Sequence, residues 1–297
     1  MEPTSGWFES QGLKLHYADW GNPDAPPLIL LHGVQDHCRS WDRIAERLSG
    51  DWHVIAPDLR GHGDSQWIAD GIYSIDGYIF DLAELIETLG LAPVSMIAHS
   101  LGGRIALRYA GIMPDAITRL VAIEGLGPPP SQLADEAAVP ADLRMRKWIA
   151  DYRSLATREP RRYATVNEAA ARMQEQNPKF DADLVRHLAV TGTRHNGDGT
   201  YSWKFDNRVR LSAPLEMTIA DREAIWMSIA CPLLLVHGTD SFLPDPRHEH
   251  RDRQFRDARI ALIEGAGHWS HHDRTDALLE LATGFLAGGR DNARAAD

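Results

Sequence analysis

A serine and a histidine, far apart in the chain, carry the chemistry this sequence could perform. Ser100 stands in Ala98-His99-Ser100-Leu101-Gly102, between the apolar run Val94 to Ala98 and a helix-patterned segment, Leu101 to Met113. A serine on a sharp strand-to-helix turn is pushed out of the sheet with its hydroxyl exposed, and the turn needs small residues two before and two after it. Ala98, Gly102 and Gly103 meet that demand, Ala98 standing where glycine is usual. A serine hydroxyl is almost never ionised at neutral pH, so it attacks only when a neighbouring base takes its proton. His268, in Gly265-Ala266-Gly267-His268-Trp269, is the candidate base, because imidazole can accept that proton and later return it.

Acyl transfer also needs donors for the negative oxygen of a tetrahedral intermediate, and backbone N–H groups fixed in advance serve well. The run Pro27 to Leu31 ends in the glycine turn His32-Gly33-Val34-Gln35, so the N–H groups of Val34 and Leu101 are the expected oxyanion hole. The elements that must position these groups alternate. Runs at 27–32, 53–57, 93–99, 118–124, 232–237 and 259–264 read as strands after an opening hairpin, 7–10 with 13–20. Segments 40–48, 75–89, 101–113 and 274–286 read as helices. The expected fold class is α/β, a mostly parallel, doubly wound sheet. Between residues 126 and 227 the apolar strand runs stop. A structureless loop of that length is improbable in a compact domain, so this segment is expected to fold as a helical lid inserted in a core of 1–125 and 228–297. Its aromatic residues Trp148, Tyr152, Trp203 and Trp226 are the expected substrate contacts, the alternative being the lid's own core. Its arginines, Arg144 to Arg162, could attract an acidic substrate or form a solvated face.

Four separated motifs, His32-Gly33, Asp58 to Ser65, Ala98 to Gly102 and Gly265 to His268, resemble in type and order those of the α/β-hydrolase superfamily, in the lid-bearing branch of esterases and lactonases. The resemblance spans about residues 6 to 286 and implies a Ser-His-acid catalytic triad. Epoxide hydrolases and dehalogenases of that superfamily carry an aspartate at the elbow, where this chain has Ser100. Most relatives place the triad acid fourth in a Gly-x-x-Asp turn after the strand that follows the lid. Here Gly238-Thr239-Asp240-Ser241 puts serine in that slot and Asp240 one residue early. Other branches carry a glutamate after the strand before the lid, where this chain has Glu124. A carboxylate ending an apolar strand is expensive to bury unpaired, so Glu124 is preferred and Asp240 is the alternative. Asp58, Arg60, His62 and Asp64 are expected to do structural work. The implied function is cofactor-free hydrolysis of a carboxylic ester or lactone through an acyl-enzyme on Ser100. Carbon–carbon cleavage of a diketone-like acid by the same triad is the second reading, and a non-catalytic ligand receptor the third.

The composition bounds the alternatives. A chain of 297 residues with 43% hydrophobic and 25% charged residues suits a globular enzyme, and a net charge of −11 argues against nucleic acid as partner. No run is long and apolar enough for a transmembrane span, so no membrane association is expected, and no signal peptide is recognisable, which makes the cytoplasm the expected location. The two cysteines, Cys38 and Cys231, read as reduced thiols. His268, His271 and His272, or His248-Glu249-His250, invite a metal reading, but neither group combines an i, i+4 pair with a remote third ligand recognisable in the sequence, as catalytic zinc favours, so no metal is expected. The partner is therefore a small molecule, and oligomeric state is open.

Overall fold

Parallel strands covered on both faces must be apolar on both faces, and the runs read from the sequence have that character. The computed structural model describes residues 2–69, 71–211, 213–214 and 217–288. The polar stretch Gly288 to Asp297 reads from the sequence as a frayed tail, and residues 289–297 of it lie outside the described residues. In chain order the first elements are β1 (Thr4–Ser10), β2 (Leu13–Asp19), β3 (Pro27–Leu31), α1 (Asp42–Leu48), β4 (His53–Pro57) and α2 (Ile75–Leu89). Then come β5 (Val94–His99), α3 (Leu101–Ile112) and β6 (Ile117–Ile123). The segment that follows holds α4 (Pro130–Ala138), α5 (Ala141–Ala156), α6 (Val166–Gln176), α7 (Ala182–Gly192), β7 (Thr193–His195), β8 (Tyr201–Trp203) and α8 (Ile219–Met227). The chain closes with β9 (Leu233–Gly238), β10 (Ala258–Ile263), α9 (Ser270–Asp273) and α10 (Thr275–Leu286).

Eight strands form one sheet in the order β1-β2-β4-β3-β5-β6-β9-β10, antiparallel at the first two pairings and parallel beyond them. Successive side chains of a strand point to opposite faces. Met96 and Ala98 of β5 therefore join the core under α2 and α3, while Ile97 joins the core under α1 and α10. The carboxyl ends of β3, β5, β6, β9 and β10 share one edge of the sheet, where open α/β sheets bind ligands. Ser100, Glu124 and His268 all follow strands at that edge.

Between β6 and β9 the regular elements among the described residues are helical apart from the antiparallel pair β7–β8. Strands of three residues are too short for their periodicity to show in the sequence. The last of these helices, α8, belongs to the core rather than to a cover over the sheet edge. Gly111 of α3 lets the α8 backbone approach so closely that a Cβ there would lie 2.1 Å from the Ile225 carbonyl oxygen. Among the described residues no helix is long and apolar enough to cross a membrane.

Asp58, just past β4, ties together the loops in front of the sheet. Its buried carboxylate accepts from His16 Nδ1 of β2 at 2.8 Å, the Cys38 amide at 2.7 Å and the Asp64 amide at 2.9 Å. Burial opposes the charge, but the bond and charge of His16 outweigh it and hold the pKa far below the usual carboxylate range. Nearby, Arg60 forms a buried ion pair with Asp81. A depressed pKa contributes stability that is present above the ordinary value of 3.8 and is lost as pH falls below it. Asp58→Asn is expected to cost about 3–5 kcal/mol at neutral pH, the usual effect of removing one partner of a buried pair. The difference from wild type should shrink in urea melts run below about pH 4. Equal stability of the two proteins at pH 7 would contradict this role.

Candidate active site

The turn after β5 is strained in the way an exposed nucleophile requires. Ser100 adopts φ 50°, ψ −110°, a region few residues other than glycine occupy. Its amide donates to the Ile123 carbonyl at 2.8 Å, anchoring the turn to β6. Gly102 is required by close approach, since a Cβ there would lie 2.5 Å from the Leu31 carbonyl oxygen. One strand over, Glu124 also has a positive φ, 53°, so the chain turns sharply after β6 as well.

These two turns and the loop after β10 bring three side chains into one hydrogen-bonded row. Ser100 Oγ lies 3.1 Å from His268 Nε2, and His268 Nδ1 lies 3.2 Å from Glu124 Oε2. A carboxylate only accepts, so Nδ1 carries the proton and Nε2 offers its lone pair to the serine hydroxyl. Glu124 has no exposed side-chain surface, and its carboxylate is surrounded by donors. Oε1 accepts from the Gly238 amide at 2.9 Å and faces His237 Nδ1 at 2.8 Å, while Oε2 accepts from Ser241 Oγ at 2.7 Å. Burial pushes this carboxyl up, but the bonds from His237, His268, Gly238 and Ser241 win and bring its pKa down to about 2.

Asp240 does not join the row. The Ser241 amide donates to the Gly238 carbonyl at 3.0 Å, closing a turn that aims Ser241 at Glu124 and Asp240 outward. Asp240 is 51% exposed and pairs with Lys179 Nζ at 2.6 Å, which lowers its pKa. The serine in the expected acid slot thus serves Glu124 as a hydrogen-bond donor.

Beneath the elbow, His99 Nε2 donates to the His268 carbonyl at 2.9 Å, and burial keeps the His99 ring neutral by driving its pKa well below the usual value. His32 braces the glycine turn, with Nδ1 donating to the Gly33 carbonyl at 2.7 Å and Nε2 accepting from the Leu59 amide at 3.0 Å. Val34 and Leu101 line a cavity of about 250 Å³ together with Ser100. Leu101 opens α3, so its N–H is among the four at a helix start that have no partner within the helix.

That smaller cavity is otherwise lined chiefly by apolar and aromatic groups, Tyr73, Ile75, Tyr78, Val209 and Leu211, with Arg104 and Arg210. A second cavity of about 560 Å³ shares Val34 and Arg210 with it and continues past Trp269, Phe180 and Trp203 to Arg158, Arg161 and Arg172. Of the four aromatic residues expected at the substrate, Trp203 lines this larger cavity. Trp226 lies elsewhere. It is 2% exposed in the core beneath α3 and stacks on Phe255 at 4.9 Å between ring centroids, because α8 packs directly against α3. Trp148 packs on Tyr152 within α5, and Tyr152 Oη donates to the Gly71 carbonyl at 2.9 Å, which ties α5 to the loop before α2; neither residue lines the two cavities. Trp269, adjacent to His268, could have been found from the sequence. Tyr73, Val209 and Arg210 carry no signal there, since long-range folding alone brings them to the serine.

Among the described residues two groups come close enough to share a metal ion: His16, Cys38 and Asp58, and Asp36, His271 and His272. In the first, His16 and Asp58 are already bonded to each other, and burial pushes the Cys38 thiol well above its usual pKa, so it is held as a thiol. Both cysteines are free and buried.

Known proteins share this architecture. The chain is 29% identical to a 3-hydroxybutyrate-oligomer hydrolase of Cupriavidus necator over 77% of this chain and 78% of that protein. It is 28% identical to an esterase of Mycobacterium tuberculosis over 90% and 84% of the two chains. The crystal structure of a hypothetical protein from Pseudomonas aeruginosa PAO1 superposes with a TM-score of 0.82 at 26% identity, covering 97% of this chain and 100% of that one. Residues 26–275 match the model of the alpha/beta hydrolase fold, and the chain belongs to that family.

Proposed function

We propose that this protein is a serine hydrolase that cleaves a carboxylic ester or lactone through an acyl-enzyme on Ser100. The observation that carries the reading is the row Ser100–His268–Glu124, with hydrogen-bond distances of 3.1 and 3.2 Å. The relatives named as an esterase and an oligomer hydrolase support the reaction class. In the first half-reaction His268 Nε2 takes the Ser100 proton as Oγ bonds to the substrate carbonyl carbon. The carbonyl oxygen, now negative, is received by the N–H groups of Val34 and Leu101. The carbon–oxygen ester bond then breaks, and His268 returns the proton to the departing alkoxide. In the second half-reaction water loses a proton to His268 and attacks the acyl carbon, releasing the acid and restoring Ser100. Glu124, ionised throughout, holds the productive tautomer and stabilises the imidazolium that forms twice per cycle.

The leaving alcohol must lie toward His268, which reprotonates it. The larger cavity, bounded by Trp269 beside that histidine, is the site of the alcohol half, and the smaller one that of the acyl half. At about 250 Å³ the acyl cavity is below the roughly 300–1,000 Å³ usual for whole-ligand pockets, which favours short acyl groups over long ones. The guanidinium groups of Arg158, Arg161 and Arg210 suit a polar or acidic alcohol half.

Glu124→Gln places an amide among four donors and lowers kcat by on the order of a thousandfold or more, as removal of the triad charge does elsewhere. Asp240→Asn retains at least half of the wild-type kcat, and the reverse ranking in steady-state assays would move the acid to Asp240. Within a p-nitrophenyl ester series kcat/KM is expected to be highest for short acyl chains and to fall by dodecanoate. A rise toward the longest chain would contradict the assignment of the smaller cavity.

A further inference from the structure

We propose that Asp36, His271 and His272 form a site for a divalent transition metal such as zinc, and that the metal inhibits the enzyme. The histidine cluster offers no third ligand in its own stretch of sequence; folding supplies it from the loop after β3. One ligand atom from each residue lies within 4.8 Å of the other two. Bond lengths of about 2.0–2.2 Å to a tetrahedral zinc ion require a contraction of roughly 1 Å, within reach of side-chain rotation.

Orphaned polar atoms give the cluster a second and independent mark. His271 is 1% exposed, yet neither of its ring nitrogens has a hydrogen-bond partner, and Asp36 Oδ2 has none either. Buried polar atoms are satisfied in the great majority of cases, so a group of orphans facing one another calls for an occupant. Asp36 Oδ1 is held by the His37 amide at 2.9 Å, and the Ser40 side chain also lies against this carboxylate. The rings of His271 and His272 are 3.9 Å apart at their centroids. The neighbouring Arg43 is engaged by Asp181 at 2.6 Å. Asp36 and His272 both line the larger cavity, which gives an ion its path in and leaves a fourth position open.

Inhibition follows from where the ligands sit. Asp36 is two residues beyond Val34, the expected oxyanion donor, and His271 and His272 follow His268 by three and four residues. A metal drawing these segments together displaces both halves of the site and occupies the wall of the alcohol cavity.

Isothermal titration of zinc chloride into the metal-free protein tests the site without using activity. The expected result is one ion per chain, with affinity lowered at least ten- to a hundred-fold in Asp36→Asn and in His272→Gln, a loss seen even when outer partners of a metal are removed. The double variant His248→Gln with His250→Gln, which alters the other histidine group, should titrate like wild type. Zinc should also suppress ester turnover in proportion to occupancy, reversibly with a chelator, and the Asp36 and His272 variants should resist it. Wild-type affinity in both of those variants, absence of binding by the wild type, or loss of binding in the His248, His250 variant would each overturn the site. Saturation of the site without any change in turnover would overturn the inhibitory role.

Discussion

The Glu124 carboxylate is the interaction on which the rest of the site depends. An ion of this kind, with no exposed surface, carries a desolvation penalty of several kcal/mol unless donors replace water. Four donors from three separate segments do so: Gly238 and His237 at the end of β9, Ser241 in the turn beyond it, and His268 after β10. The carboxylate therefore binds the carboxyl ends of three neighbouring strands to one point. Removing one donor would loosen the turn that carries it, while removing the charge would leave four buried donors facing one another. The same bonds that stabilise the ion hold the His268 ring in the plane from which it reaches Ser100.

Backbone strain is the complement of that arrangement. Ser100 and Glu124 both lie at positive φ, on adjacent strands, and the Ser100 amide is tied to the last carbonyl of β6. Each such residue costs on the order of 1–3 kcal/mol and persists only where the surroundings over-determine it. Here the surroundings are a sheet buried on both faces, with close backbone approaches at Gly102 and Gly111. Strain of this sort holds Ser100 and Glu124 in place before any ligand arrives, which is what the proposed chemistry requires of them.

The strands, the sharp turn at Ser100 and the glycine turn that carries His268 were legible in the sequence because they are local. Apolar runs of five to seven residues, bounded by turn residues, coincide with β3, β4, β5, β6, β9 and β10 within a residue or so at each end. The preference for Glu124 rested on the expense of burying an unpaired carboxylate at a strand end, and the donors around it are the physical answer to that expense. The cavity walls were legible only in part: Trp203, Arg158 and Arg161 stood among the expected residues and line the larger cavity. Trp226 has the composition of a substrate contact and is a core residue, because whether α8 faces the sheet edge or α3 is decided by packing that no periodicity reveals. Arg210, at the end of a short 3-10 helix, and Asp36, in the loop after β3, come to the cavities by folding over long sequence separations. Asp36 shows the limit most clearly, since its relation to His271 and His272 spans more than 230 residues of chain.

A covalent probe reports on the whole site at once. Incubation with a fluorophosphonate followed by peptide mass spectrometry requires an aligned serine, an acceptor nitrogen and an oxyanion hole in the same molecule. A single adduct on the peptide containing Ser100, absent in Ser100→Ala and much slower to form in Glu124→Gln, is the predicted result. Intact wild type that stays unlabelled, or that carries its adduct on another residue, would contradict the assignment of Ser100 as the nucleophile.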